Sequence, residues 1–130
     1  MHRDLKLSNI VFARPDSNEI RVVDFGISGL HGPLYNKEKS IAGSLRYMAP
    51  EVLSGKNTSA EPAIDIFSLG VILFSLVVGR LPFDGDDNMI KQNIKAGVFD
   101  FPAETSLSKD VIDLIRQLLH VNPKERITMK

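Results

Sequence analysis

"HRDLKLSN", residues 2–9, places a histidine, an arginine, an aspartate, a lysine and an asparagine within eight consecutive positions. So dense a set of donors, acceptors and opposite charges suits a catalytic loop, and such loops are positioned by a rigid scaffold. The following residues supply part of one. "IVFA" (10–13) and "IRVVDF" (20–25) are β-prone runs separated by the turn formers "RPDSNE", which predicts a hairpin. From Gly26 to Ala49 the chain carries four glycines and no clear period, and a long irregular segment of that kind is usually functional.

The second half reads as helical. "IFSLGVILFSLVVG" (66–79) is apolar nearly all round, so it predicts a helix buried as the spine of the unit, opened by Pro62 and closed by Gly79. Asp86 or Asp87 can cap a second helix running to about Ala96. "GVFDFP" breaks it. A third helix is expected from Ser108, burying Val111, Leu114, Ile115, Leu118 and Leu119 and ending at Asn122-Pro123.

Composition narrows the function classes. Sixteen basic residues balance sixteen acidic ones, which gives no reason to expect a nucleic acid or an anionic membrane surface as partner. The run at 66–79 is too short for a transmembrane span. Met1-His2-Arg3-Asp4 lacks the apolar stretch of a secretory signal, and the absence of cysteine makes a reducing interior the default location. An intracellular, cytoplasmic protein is therefore expected.

Asp24-Phe25-Gly26 follows fifteen residues after Asn9, and Ala49-Pro50-Glu51 closes the irregular segment. Asp65 and Gly70 then fall in the central helix, "LPF" follows it, and Arg126 follows "NP". In this order the sequence resembles the eukaryotic protein kinase family, of serine/threonine type. "GSLRYMAPEVLSG", "LPFDGDD" and "IKAGVFDFP" look most like its calcium/calmodulin-dependent and SNF1-like branch.

The resemblance implies roles residue by residue. Asp4 matches the catalytic base, and Lys6 the lysine that offsets charge on the transferring phosphoryl group of ATP. Asn9 and Asp24 match the two Mg2+ ligands, oxygen donors suited to a hard cation. His2 packs rather than reacts. Lys6, with a hydroxyl at Ser44, follows the serine/threonine pattern, in which that hydroxyl bonds the aspartate and the lysine. Leu45 departs from the family, standing where many members have proline.

Residues 24–51 match the activation segment. Ser40, three residues before Gly43, matches the phosphorylation position, Arg3 its receiver, and an upstream kinase the partner that modifies it. Gly29 stands where a second basic residue often completes that clamp. Glu51 and Arg126 match a buried ion pair, and Asp65 a helix residue that binds the catalytic-loop backbone.

The implied fold is mainly α: the C-terminal lobe of a kinase-like α+β fold, a short hairpin followed by helices around a buried central one. Residues 1–130 then form a partial kinase domain lacking the nucleotide-side lobe. The expected activity is ATP-dependent phosphoryl transfer to Ser/Thr hydroxyls of protein substrates, with the isolated chain inactive alone. The other reading is a half-domain that binds substrates or regulators without catalysis.

Overall fold

The computed structural model of the protein describes residues 2–23, 44–55 and 62–129. Residues 7–9 form a single 3-10 turn that leads from the opening loop into β1 (Ile10–Phe12), which pairs antiparallel with β2 (Ile20–Val22). Ile10 faces Val22, Val11 faces Arg21 and Phe12 faces Ile20. Backbone bonds from Ala13 N to Glu19 O and from Val23 N to Asn9 O, both 2.8 Å, extend the ladder at either end. The strands are shorter than the β-prone runs, because Ala13 already enters the turn, where Ser17 donates to Arg14 O and accepts from Glu19 N. Asp24 and Phe25, expected in the second strand, lie outside the described residues.

Helix α1 (Pro50–Leu53) starts on a proline, whose missing N–H leaves nothing unsatisfied in a first turn. Helix α2 (Ala63–Val78) is the spine. Pro62 occupies its N-cap rather than its first helical position, and Gly79 ends it at φ 81°, a conformation glycine adopts without steric penalty. Ile66, Phe67, Gly70, Val71 and Phe74 are buried along it. Its last turn is not: Leu76 is 67% exposed and Val77 37%, so the helix is enclosed over its first three turns only.

Helix α3 (Asp87–Ala96) is capped by Asp86, whose carboxylate accepts from Met89 N at 2.9 Å. Helix α4 (Lys109–Leu118) is capped by Ser108, accepting from Val111 N. Helices α2 and α4 cross at Gly70. A Cβ there would lie 2.8 Å from Leu118 Cβ and 2.9 Å from Leu119 Cδ2, so only glycine permits the approach. This crossing buries Ile115, Leu118 and Leu119, while Val111 is half-buried and Leu114, expected in the core, is exposed. The helix also ends at Leu118, before Asn122-Pro123, because the turn after it presents the carbonyls of His120 and Val121 to Arg126.

Five phenylalanines complete the core. Phe67 stacks on Phe83 at 6.0 Å between centroids, and Phe74 meets Phe99 and Phe101 at 6.0 and 5.3 Å. Edge and offset contacts of this kind add to simple burial. The hairpin stays outside the core, with Phe12, Ile20 and Val22 each more than half exposed. Among the described residues no helix is long and apolar enough to cross a membrane.

Candidate active site

The opening loop is fixed to the spine by one carboxylate. Asp65, in the first turn of α2, accepts the backbone N–H of His2 at 2.6 Å and of Arg3 at 2.8 Å. Arg3 sits at φ 69°, rare for a residue with a Cβ. Such a conformation persists when its surroundings hold it, and Asp65 grips both N–H groups at the bend. His2 Nδ1 accepts from Asp4 N at 3.3 Å, and its buried Nε2 has no hydrogen-bond partner among the described residues.

Beyond that bend three side chains converge. Ser44 Oγ donates to Asp4 Oδ1 at 2.9 Å, Lys6 Nζ donates to Ser44 Oγ at 3.0 Å, and Lys6 Nζ lies 2.9 Å from Asp4 Oδ2. Each of the three contacts the other two. Asp4 and Lys6 are held two residues apart in an extended stretch, and Ser44 arrives from 40 positions downstream. Their side chains are partly exposed, 28% for Asp4 and 18% for Lys6, so the carboxylate remains within reach of an incoming hydroxyl. A cavity of about 70 Å³ lies against Asp4 and Ser44, walled by Leu5, Tyr47, Met48 and Val52.

Asn9 is buried at the end of the 3-10 turn. Its Nδ2 donates to the Asp4 carbonyl at 2.7 Å. Only the amide NH2 can serve a carbonyl, so this bond sets the orientation of the side chain and turns its oxygen away. That oxygen is a hard donor of the kind a magnesium ion takes, and the residue is locked to the backbone of Asp4. Asn9 therefore fits a cation-holding role. Asp24 and Ser40 lie outside the described residues.

Behind the site, Glu51 and Arg126 are 5% and 2% exposed. Arg126 uses its whole guanidinium: NH1 and NH2 reach the two Glu51 oxygens at 2.8 and 3.0 Å, and further bonds go to the carbonyls of Ala63, His120 and Val121. The cation also lies over the Phe67 ring at 5.1 Å. A buried pair so fully satisfied ties α1, which follows the segment bearing Ser44, to α2 and to the turn after α4.

Two supporting residues have little signature in the sequence. Ser68 Oγ donates to Tyr47 O at 2.8 Å, pinning the backbone three residues after Ser44. A lone serine in the apolar run "IFSLGV" is the one hint of it. Burial pushes the Tyr47 phenol up, opposed by a backbone hydrogen bond from Leu7 and by the charges of Lys6 and Arg46. Tyr47 thus packs against the loop that carries Asp4.

The chain matches the protein kinase domain family over residues 1–130. It is 41% identical to a cell cycle serine/threonine-protein kinase, CDC5/MSD2, of Saccharomyces cerevisiae, over 97% of this chain and 18% of the relative. It is 42% identical to NUAK family SNF1-like kinase 2 of Rattus norvegicus and 41% to calcium-dependent protein kinase 21 of Oryza sativa, over 100% of this chain and 20% and 23% of those proteins. It therefore spans about a fifth of the length of these relatives. SNF1-like and calcium-dependent kinases stand among the relatives, at essentially the same identity as the cell-cycle kinase. With the family matched from the first residue to the last, the chain belongs to the protein kinase domain family.

Proposed function

We propose that the protein catalyses transfer of the γ-phosphoryl group of ATP to serine and threonine hydroxyls of protein substrates. The observation that carries this reading is the contact of Asp4, Lys6 and Ser44 at a partly exposed carboxylate. Asp4 orients the acceptor hydroxyl and takes its proton, and Lys6 offsets the charge of the transferring group. Ser44 fixes the rotamers of both, which is the positioning this reaction chiefly requires. When bound, the magnesium nucleotide supplies the phosphoryl group and neutralises part of its charge, and Asn9 together with Asp24 is the set that would hold the metal.

Residues 1–130 are, on this reading, the substrate-side lobe of the kinase domain. The mainly helical architecture, with its hairpin beside the catalytic loop, supports that placement. On the same reading, residues 1–130 by themselves transfer phosphate negligibly, because they hold no glycine-rich phosphate loop. Ser40 and Arg3 form the proposed switch, with phosphate added by an upstream kinase.

The direct test is incubation of the whole protein with Mg-ATP and peptides bearing serine, threonine or tyrosine. Phosphoserine and phosphothreonine by mass spectrometry are expected. Phosphotyrosine alone, or no transfer, would overturn the proposal.

A further inference from the structure

Arg46 lies in the segment that carries Ser44 and Tyr47, yet little holds its charged end. Among the described residues its five N–H donors make one hydrogen bond, from NH2 to Asp84 Oδ1 at 3.3 Å. Its Nε is buried and has no hydrogen-bond partner among the described residues. Asp84 is itself 79% exposed. A single long contact to an exposed carboxylate is weak beside the paired, shorter bonds a guanidinium makes with an oxyanion presented edge-on.

Arg46 already holds an anion: the Gly85 N–H and then Arg46 keep the Asp84 carboxyl below its ordinary range. Burial raises the Tyr47 phenol, while the Leu7 backbone and the charges of Lys6 and Arg46 pull it back, so both cations are within electrostatic reach of one hydroxyl. Lys6 is committed to Asp4 and Ser44. Among the described residues Arg46 is a cation able to change partners, because the Arg46–Asp84 contact is on the surface and returning Asp84 to water costs little.

We infer that Arg46 is a specificity residue for the proposed kinase reaction, receiving a carboxylate or phosphate group of the substrate chain close to its phosphoacceptor, with Asp84 as the internal partner displaced. This inference rests on the reading of Asp4 as the site of transfer. The chemistry recognised is that of an oxyanion on a planar guanidinium, whether glutamate or phosphoserine presents it.

The test is fluorescence anisotropy of labelled serine peptides with the whole protein, without ATP. The acceptor is flanked within two residues by Ala, Glu, phosphoserine or Lys. Glu and phosphoserine peptides are expected to bind roughly three- to tenfold more tightly than the Ala peptide, the range for a surface charge-assisted contact. Arg46→Ala should erase the difference, Arg46→Glu should turn the preference toward Lys, and Asp84→Asn should strengthen binding of the acidic peptides by freeing Arg46. A gain confined to phosphoserine and lost in Arg46→Ala identifies phosphate as the source. A preference that survives Arg46→Ala, or tightest binding of the Lys peptide to the unaltered protein, overturns the inference. If Arg46→Ala melts early, the Asp84→Asn arm decides, and unchanged acidic-peptide affinity there overturns it equally. A protein that binds acidic peptides through Arg46 yet transfers no phosphate would instead refute the kinase reading alone.

Discussion

Ser44 donates its hydroxyl proton to Asp4 at 2.9 Å across 40 residues of chain, while accepting from Lys6 at 3.0 Å. The serine thereby couples the placement of two opposite charges to the folding of the segment in which it lies. Ser44→Ala removes both bonds at once and leaves Asp4 and Lys6 to each other. About 1–2 kcal/mol of stability should be lost, from two part-buried hydrogen bonds, and peptide phosphorylation by the whole protein should fall at least about tenfold. Ser44→Thr keeps the hydroxyl and should recover most of both, as read by thermal melting and steady-state kinetics.

Loss of either member of the Arg126–Glu51 pair should be strongly destabilising. Glu51→Ala leaves a guanidinium buried without its counter-charge, and about 3–5 kcal/mol of destabilisation is expected, the usual size for a broken buried pair. Arg126→Lys should be nearly as damaging, because an ammonium on a flexible stem cannot replace the five bonds to Glu51, Ala63, His120 and Val121. Urea unfolding of the variants measures both.

Gly70→Ala sets propensity against packing. Alanine is favoured over glycine in a helix by about 1 kcal/mol, but its Cβ would stand 2.8 Å from Leu118 Cβ. Overpacking between two helices costs about 1–3 kcal/mol, so a net loss of stability is expected. A rise in melting temperature would show that α2 and α4 can part without penalty.

Much of this was legible beforehand because the motif residues act within short stretches. Asp4, Lys6 and Asn9 sit in one loop, and the β-prone runs on either side of the turn formers "RPDSNE" locate the hairpin. The caps Asp86, Ser108 and Gly79 are local chemistry, readable from residue type. The exposed Leu114, Leu76 and Val77 were not legible, since apolarity tells which residues can be buried but not where neighbouring elements run out. Arg46–Asp84 and Ser68–Tyr47 join residues 38 and 21 positions apart, and pairings of that range carry no periodic signal. Leu119 ends its helix early for the same reason: the carbonyls after it are needed by Arg126.

The Tyr47 phenol should ionise above its ordinary value of 10.0, burial being the main cause. An acid whose folded pKa is raised stabilises the fold below the unfolded value, and that contribution is lost as pH rises from 10.0 through the folded one. Tyrosinate absorbance of the unaltered protein and of Tyr47→Phe separates this group from Tyr35. Tyr47→Phe should lose less stability than the unaltered chain across that window.

Asp84 should behave oppositely, its carboxyl held below the ordinary 3.8 by the Gly85 N–H and by Arg46. Its charge should persist as pH falls past 3.8 and disappear only in more acidic solution. Carboxyl carbon NMR titration should give a midpoint that rises toward the ordinary value in Arg46→Ala.

The central claim is that Asp4 acts on the acceptor hydroxyl. The measurement that tests it most directly is kcat for serine-peptide phosphorylation by the whole protein and by Asp4→Asn, with folding of both checked by melting. Asparagine keeps the shape and can still accept from Ser44, but it cannot take a proton. A fall of about a hundredfold or more in kcat, with peptide affinity little changed, is the predicted result. An Asp4→Asn protein that folds and turns over at the unaltered rate would contradict the account.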